Sequence, residues 1–317
     1  MKKLLNISDF PNDDENLRMM EKYQKKYNFD GFEIIKFDLE KDSSKLKDKI
    51  IGYHMRFFPM WLDIYLGKYN MIKEKFSDKM DRFYWCGGDT KEDVITYYKK
   101  DLQRAKELGV EYVVFHACYV DDDGSLTYQF PYTDKEVLEG VVSLINDVFK
   151  NEDFQFTLLL ENLWWAGLKL NSKSEMKLLL NKIEYKNIGF ILDTSHMLNT
   201  NFNLKNLDEG IDYIIENIDK MEELKQYIYG VHLSWSLSGD YVSKMIKKHR
   251  KSQKEREKAK KKIYEYVGQI DYHYPFEDNR IMKVLNKLSL KWLVYEFLYY
   301  NDEELEEKVI KQEKIFS

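Results

Sequence analysis

Short apolar runs alternate with longer amphipathic stretches along the whole chain. The runs fall at residues 3–8, 31–37, 50–54, 112–116, 156–161, 188–192, 229–232 and 293–296. Their length and composition are typical of buried strands. The stretches between them place apolar residues at helical spacing, as at Leu17, Met20 and Tyr23, and predict helices. Eight strand–helix units in this order predict an α/β fold, a parallel sheet closed into a (β/α)8 TIM barrel.

We expect one domain over residues 1–317, because no Pro-rich or Gly-rich linker interrupts the chain and there are only four prolines. Two insertions exceed what a barrel needs. Residues 55–88, after strand three, are aromatic and irregular, and we expect an extended loop or lid there. Residues 245–266, after strand seven, are rich in lysine, and we expect an exposed helix.

The overall composition predicts a globular protein, with 44% hydrophobic and 33% charged residues. The net charge of -5 gives no global basicity, so a nucleic-acid partner would need a local basic patch. Cys86 and Cys118 are the two cysteines, which indicates neither a disulfide scaffold nor a cysteine-based zinc module. The apolar runs are too short for a membrane span, and the N-terminus lacks a secretory pattern. We therefore expect a cytoplasmic location.

Carboxylates and imidazoles follow the predicted strands where the chain leaves the barrel. The residues in question are His54, His116, Glu161, Asp193, His196, His232, Asp271, His273 and Glu296. Taken singly, such a histidine is usually a hydrogen-bonded, half-buried residue, and such a glutamate a salt-bridge partner. Taken together at one barrel mouth, they would repel or lose solvation without a cation. Nitrogen and oxygen ligands suit zinc, manganese, iron or cobalt better than magnesium, so we expect a metal site.

This arrangement resembles the xylose-isomerase-like TIM-barrel superfamily, which contains sugar isomerases and epimerases and the endonuclease IV type of apurinic-site nuclease (AP endonuclease family 2). The resemblance covers most of the chain. The motifs that carry it are Glu161-Asn162, Leu192-Asp193-Thr194-Ser195-His196, Val231-His232-Leu233, Asp271-Tyr272-His273-Tyr274-Pro275 and Glu296. In this order they are specific for the superfamily and much less specific for one reaction.

The resemblance implies ligand sets for one to three divalent ions, with zinc and manganese as the best candidates. The set shared by isomerases and nucleases corresponds to Glu161, Asp193, His232 and Glu296. In the nuclease branch, a second ion uses His54 and His116 with Glu161 bridging, and a third uses His196, Asp271 and His273. The chain departs from both branches after His232, where neither the acid common in relatives nor the arginine of ketose epimerases follows.

Two enzymatic functions fit this set. The first is a metal-dependent isomerase or epimerase of a sugar or related polyol, in which Glu161 and Glu296 transfer the proton next to a carbonyl and His196 holds a substrate oxygen. Trp164, Trp165 and Trp235 would pack against such a sugar, or else belong to the outer core.

The second function is hydrolysis of a phosphodiester, such as apurinic DNA, at a multinuclear zinc site. The Lys-rich segment 244–262 supports it, because a basic element beside the site could follow a phosphate backbone. A solvated helix is the ordinary meaning of such a run, and the acidic net charge narrowly favours the isomerase. A degenerate barrel that only binds a ligand is the least favoured alternative.

Overall fold

A computed structural model describes residues 1–9, 12–38 and 40–316. Eight parallel strands close into a barrel in sequential order, and the last strand pairs with the first. The strands are β1 Lys2–Ser8, β2 Gly31–Ile35, β3 Ile50–His54, β4 Tyr112–His116, β5 Thr157–Glu161, β6 Ile188–Asp193, β7 Ile228–Leu233 and β8 Trp292–Tyr295. The predicted (β/α)8 TIM barrel is therefore confirmed.

Helices follow the strands and cover the barrel. They are α1 Asp13–Tyr27, α2 Trp61–Tyr65, α3 Tyr69–Lys75, α4 Lys79–Cys86, α5 Lys91–Leu108, α6 Asp122–Thr127, α7 Asp134–Phe149, α8 Lys173–Lys182, α9 Thr194–Leu198, α10 Leu207–Lys220, α11 Gly239–Lys251, α12 Gln253–Lys260, α13 Ile263–Gly268, α14 Met282–Leu285 and α15 Asp302–Glu313. Short 3-10 helices occupy Ser44–Lys49, Glu222–Tyr227, Asn279–Ile281 and Lys314–Phe316. Within the described ranges, no helix is long and apolar enough to cross a membrane.

The strand register brings the strand ends to one level. His116 lies opposite Glu161 across the β4–β5 pair, and Asp193 lies opposite His232 across the β6–β7 pair. Because parallel strands all end on the same side of a barrel, these side chains project into one mouth. The strand register alone therefore places these four side chains next to one another, without any contribution from the loops.

The first insertion is folded, so the expectation of an extended loop or lid over 55–88 is wrong. It contains α2, α3 and α4. Among its aromatic residues, Phe58, Trp61 and Tyr65 are buried, with Phe58 and Trp61 at 0% exposure, whereas Tyr84 is exposed. Asp78 caps the start of α4, and Gly87 ends it with a φ of 86°, a left-handed conformation that glycine adopts without strain. Burial of apolar side chains therefore fixes this segment as short helices.

The Lys-rich insertion is helical, as predicted, but it is broken into α11, α12 and α13. The apolar side chains Val242, Ile263 and Tyr266 are buried in one cluster with Trp164 and Trp165. The insertion thus packs on the loop that follows β5, at the rim of the barrel mouth. Its position brings a basic element to the side of the molecule that carries the candidate site.

Candidate metal centre

The nine residues that the sequence singled out as ligands form one connected cluster at the carboxyl ends of the strands. His54, His116, Glu161 and Asp193 are the last residues of β3, β4, β5 and β6. His232 lies near the end of β7, Glu296 directly follows β8, and His196 lies on α9. Asp271 and His273 come from the loop after α13. The structure therefore brings together residues separated by more than 200 positions in the sequence.

Glu161 is the centre of the cluster, because its two carboxylate oxygens face different histidines. Oε2 lies 3.1 Å from His54 Nε2 and 3.0 Å from His116 Nε2. Oε1 lies 3.2 Å from the Nδ1 atoms of both His196 and His232. The Glu161 side chain is fully buried. A carboxylate in this position can bridge two ligand groups, one on each oxygen.

The candidate ligands divide into groups, of which the first is His54, His116 and Glu161. The second ligand group surrounds His232 Nδ1. This atom lies 3.0 Å from Glu296 Oε2, 3.2 Å from Glu161 Oε1 and 3.9 Å from Asp193 Oδ2. One donor atom from each of Glu161, Asp193, His232 and Glu296 falls within 4.8 Å of the others. The same separation holds for His54, His116 and Glu161. Each of the two sets is compact enough to bind one cation.

The third ligand group depends on the local structure of the Asp-x-x-His motif. Asp193 caps α9 by accepting a hydrogen bond from the backbone N–H of His196 at 2.6 Å, as N-cap residues do. This cap turns His196 one helical step away from β6. Its Nε2 then lies 3.1 Å from Asp271 Oδ2, and His273 Nε2 lies 2.7 Å from the same oxygen. His273 has a φ of 47°, a strained left-handed conformation of the kind that functional sites retain.

The pKa values follow from burial and from this crowding of charges. Burial raises the pKa of Asp193 to about 8. Burial would also raise the pKa of Glu161, but the charges of His116 and His232 outweigh it and hold the Glu161 pKa well below its usual range. Burial lowers the pKa of His54, yet the hydrogen bond and charge of Glu161 overcome this and raise it to about 8. Strongly perturbed groups of this kind mark functional sites.

The donor set fits divalent cations. The buried Oδ2 of Asp193 accepts no hydrogen bond within the described part of the chain, and an orphaned buried carboxylate oxygen is costly. Among the described residues, no lysine or arginine pairs with Glu161, Asp193, Asp271 or Glu296, whose ion-pair partners are histidines. Buried nitrogen and oxygen donors, together with carboxylates that lack lysine or arginine partners, are the chemistry of a divalent-metal site.

Glu33 is a member of the site that the sequence analysis missed. It lies in β2 at 0% exposure, and its carboxylate is 3.1 Å from His232 Nε2. Asn6 Nδ2 and the Tyr112 hydroxyl also donate to it, at 2.6 and 2.7 Å. If His232 donates its Nε2–H to Glu33, its Nδ1 carries no proton and faces Glu161 and Glu296, where it can bind a metal ion. A hydrogen-bond acceptor on the far side of a histidine ligand commonly fixes the tautomer in this way. The signal was the lone acid in Gly31-Phe32-Glu33-Ile34-Ile35.

Glu33→Gln is expected to weaken metal binding at the His232 group about 10- to 100-fold. The side-chain NH₂ of the new glutamine faces groups that already donate hydrogen bonds to Glu33, so one buried donor loses its acceptor. This loss is expected to lower the free energy of unfolding by about 1–3 kcal/mol. Zinc titration against a fluorescent chelator measures the first effect and urea denaturation the second. Glu184→Gln, at an exposed position in the loop before β6, is the matched control and should change neither metal affinity nor stability appreciably. Unchanged zinc affinity in the Glu33 variant would contradict the role of Glu33.

The three tryptophans that the sequence associated with substrate divide into two kinds. The ring of Trp164 lies 5.1 Å from the ring of His196. Trp165 stacks on Phe57 at 6.5 Å. Both indoles are more than 90% buried beneath the Lys-rich insertion. Trp235 instead donates its indole N–H to Pro275 O at 2.8 Å. The first two therefore form a wall beside the cluster, whereas Trp235 joins two loops.

A cavity of about 880 Å³ opens next to the cluster, between β1, α1 and the loop after β8. His273 and Glu296 line its inner end. Arg18, Phe37 and Tyr300 line its outer part and are exposed. A cavity of this size accommodates a ligand of several rings, so a substrate can reach the cluster from this side.

Comparison with known proteins identifies the fold and its relatives. A family model described as xylose isomerase-like TIM barrel matches residues 22–287. A curated relative from Mycoplasma mobile, named probable endonuclease 4, is 27% identical over 161 residues, which is 50% of this chain and 52% of the relative. The chain thus spans about half the length of the curated relative that it matches.

Solved structures similar to this one include both nuclease and epimerase types. Endonuclease IV from Thermus thermophilus aligns over 100% of this chain and 99% of its own, with a TM-score of 0.56 and 14% identity. A D-tagatose 3-epimerase-like protein aligns over 100% of both chains, with a TM-score of 0.54 and 14% identity. At such identities these likenesses show a shared fold.

Proposed function

The chain belongs to the xylose isomerase-like TIM barrel family, and on this basis we propose that it is a metal-dependent hydrolase of phosphodiesters. The family contains enzymes of more than one reaction class, including the nuclease and epimerase types found among the structural neighbours. The observation that carries the proposal is the continuity of the ligand cluster. Three ligand groups are present side by side, and Glu161 contacts histidines of all of them.

The residues that would hold the ions follow from the distances. His54, His116 and Glu161 form one group, and Glu161, Asp193, His232 and Glu296 form the next. The third contains Asp193, His196 and His273, whose donor atoms fall within the same separation, and Asp271 lies beside both of these histidines. Divalent ions in such sites activate water and stabilise the oxygens of a phosphoryl group.

Charge distinguishes the two candidate reactions. The cluster contains four carboxylates, and Glu33 adds a fifth behind His232. Among the described residues, the ion-pair partners of the four, which are Glu161, Asp193, Asp271 and Glu296, are histidines alone. With one divalent cation the net charge of these carboxylates and the ion stays negative, which suits a neutral polyol as substrate. With three, the carboxylates are more than offset and the centre attracts an anion. A complete three-group donor set thus supports an anionic phosphodiester.

The chain's own residues orient and enclose the reacting groups. Glu161 fixes the spacing of the first two ligand groups, because its oxygens point to opposite sides. Asn162 Nδ2 donates to the backbone oxygen of Asp193 at 3.0 Å and holds the end of β6 against β5. Trp164 and Trp165 close one side of the mouth to water, which strengthens electrostatic interactions inside it.

An epimerase is the second candidate, favoured by one specific contact. Glu161 and Glu296 both lie within 3.2 Å of His232 Nδ1, so two carboxylates flank a single position. Removal and return of a proton next to a carbonyl needs such a pair. The epimerase-like structural neighbour supports this alternative.

The full chain, reconstituted with zinc or manganese, is expected to cleave a phosphodiester substrate and to leave ketoses unchanged. Cleavage would be measured on a duplex with one apurinic site and on bis(p-nitrophenyl) phosphate. Proton transfer would be measured by NMR as deuterium incorporation into D-tagatose and D-fructose in D₂O. Glu184→Gln, at an exposed position in the loop before β6, is the control variant and should behave like the parent. Deuterium incorporation without any phosphodiester cleavage would overturn the proposal in favour of the epimerase.

A further inference from the structure

The insertion α11–α13 carries a charge opposite to that of the rest of the molecule. Residues 239–268 contain eleven lysines and arginines and four acidic residues, a net charge of +7. The whole chain has a net charge of -5, so the remainder carries -12. Concentrating positive charge in one element of an acidic protein creates a local field that attracts polyanions.

Part of this charge is used to attach the insertion to the barrel. Arg256 lies 2.9 Å and Lys260 lies 2.9 Å from the carboxylate of Asp123 on α6. Arg250 donates to the backbone oxygen of Thr127, at the end of the same helix, at 2.8 Å. Arg256 and Lys260 are therefore paired with carboxylates inside the protein, whereas Arg250 holds α11 to the end of α6 through a backbone carbonyl.

A second set of lysines has no such use. Lys244, Lys247 and Lys251 share one face of α11 at spacings of three and four residues, and Lys254 continues the set on α12. All four are exposed, and among the described residues none lies within ion-pair distance of a carboxylate. We name these four residues the lysine face.

The lysine face points away from the barrel. At helical spacing, Val242, Met245, Ile246 and His249 occupy the opposite side of α11, where Val242 and His249 are buried and Met245 and Ile246 pack in the cluster with Trp164. An amphipathic helix binds a bilayer through its apolar side. That side is already covered here, so the exposed face offers charge without apolar anchors.

We propose that the lysine face binds the phosphate backbone of a double-stranded nucleic acid. The argument rests on charge complementarity, on lysines without internal partners among the described residues, and on the position of the insertion at the rim of the mouth. The link between this surface and catalysis rests on the proposed function; the binding itself does not. If both the proposed function and the binding by the lysine face hold, the phosphodiester that is cleaved belongs to a nucleic acid rather than to a small molecule.

The test compares two variants with the same change of charge. The first replaces all four residues of the lysine face with glutamine. The control replaces Lys47, Lys100, Lys186 and Lys283, which are exposed, lie outside the insertion and likewise make no ion pair within the described residues. Anisotropy of a fluorescent, undamaged duplex of about 30 base pairs reports binding at about 50 to 200 mM salt.

The lysine-face variant is expected to bind at least about tenfold more weakly, and its salt slope to fall by about 1 for each lysine removed. The control should bind like the parent. Equal binding by the two variants would overturn the inference. So would binding of phosphatidylserine vesicles, or of an acidic protein, without binding of the duplex.

This test can fail or succeed independently of the proposed function, because the anisotropy measures binding of an undamaged duplex and does not depend on cleavage. Glu161→Gln should retain duplex binding whether or not it retains hydrolysis. Loss of duplex binding in the lysine-face variant would support this inference even in a protein that hydrolyses nothing. Hydrolysis of a small phosphodiester by a protein that binds no duplex would support the proposed function and overturn the inference.

Discussion

Replacing Glu161 with glutamine is expected to lower kcat/KM for phosphodiester cleavage at least about 1000-fold, which corresponds to about 4 kcal/mol of lost transition-state stabilisation. The reason is geometric. Glu161 Oε2 faces His54 and His116, and Oε1 faces His196 and His232. An amide has one acceptor oxygen and cannot replace both ligand atoms. Steady-state kinetics with the apurinic duplex measures the effect.

The size and shape of glutamine are close to those of glutamate, so the fold should survive the change. Circular dichroism and the urea midpoint would verify this. Glu184→Gln is again a suitable control, because Glu184 is exposed and precedes β6 at the opposite end of the barrel from Glu161. Retention of full turnover by the Glu161 variant would contradict both the hydrolase and the epimerase proposals, since each assigns this residue to the site.

Metal removal is expected to lower the melting temperature by at least about 10 °C. Each ion present at a free concentration 100 times its Kd stabilises the folded state by about 2.7 kcal/mol, so three ions contribute about 8 kcal/mol. One kcal/mol shifts the melting temperature of a domain of this general size by about 2–4 °C. Differential scanning calorimetry before and after dialysis against a chelator measures the shift, and added zinc should reverse it.

Metal content identifies which residues hold the ions. Elemental mass spectrometry is expected to find close to three ions per chain, and one fewer in each of His54→Ala and His273→Ala, which belong to different ligand groups. His249→Ala is the control, because His249 packs beside Tyr266 in the insertion. Close to one ion per chain, unaffected by either change, would contradict the multinuclear site and favour proton transfer on a sugar.

Several features of the candidate site could be anticipated and others could not. The residues at the strand ends were identifiable, because a run of apolar residues that stops at a Glu, Asp or His is visible locally. Glu33 was not identified as part of the site, although its carboxylate contacts His232. The sequence could not show which side of β2 faces the barrel interior. Trp235 was grouped with Trp164 and Trp165, but its indole bonds to Pro275 in another loop.

The Lys-rich insertion illustrates the same limit for a surface. The sequence identifies the run, but not which of its cations remain free for a partner. Lys260 and Arg256 pair with Asp123, and Lys258 pairs with Glu255. Lys247 and Lys251, of the same residue type and a few positions away, face solvent without such partners among the described residues. The pairing of Arg256 and Lys260 depends on α6, which lies more than 100 residues earlier in the chain.

By itself, the sequence determined the alternation of strands and helices, the barrel that follows from it, and the chemical types of residue at the strand ends. These are local properties, and a closed parallel barrel then requires the strand ends to meet. The tertiary structure decided how Glu161 is shared between ligand groups, that Glu33 holds His232, and that residues 61–86 form helices. Such features depend on side chains far apart in sequence, as with Glu33 and His232, which are 199 residues apart. Only the packed fold sets the distances between them.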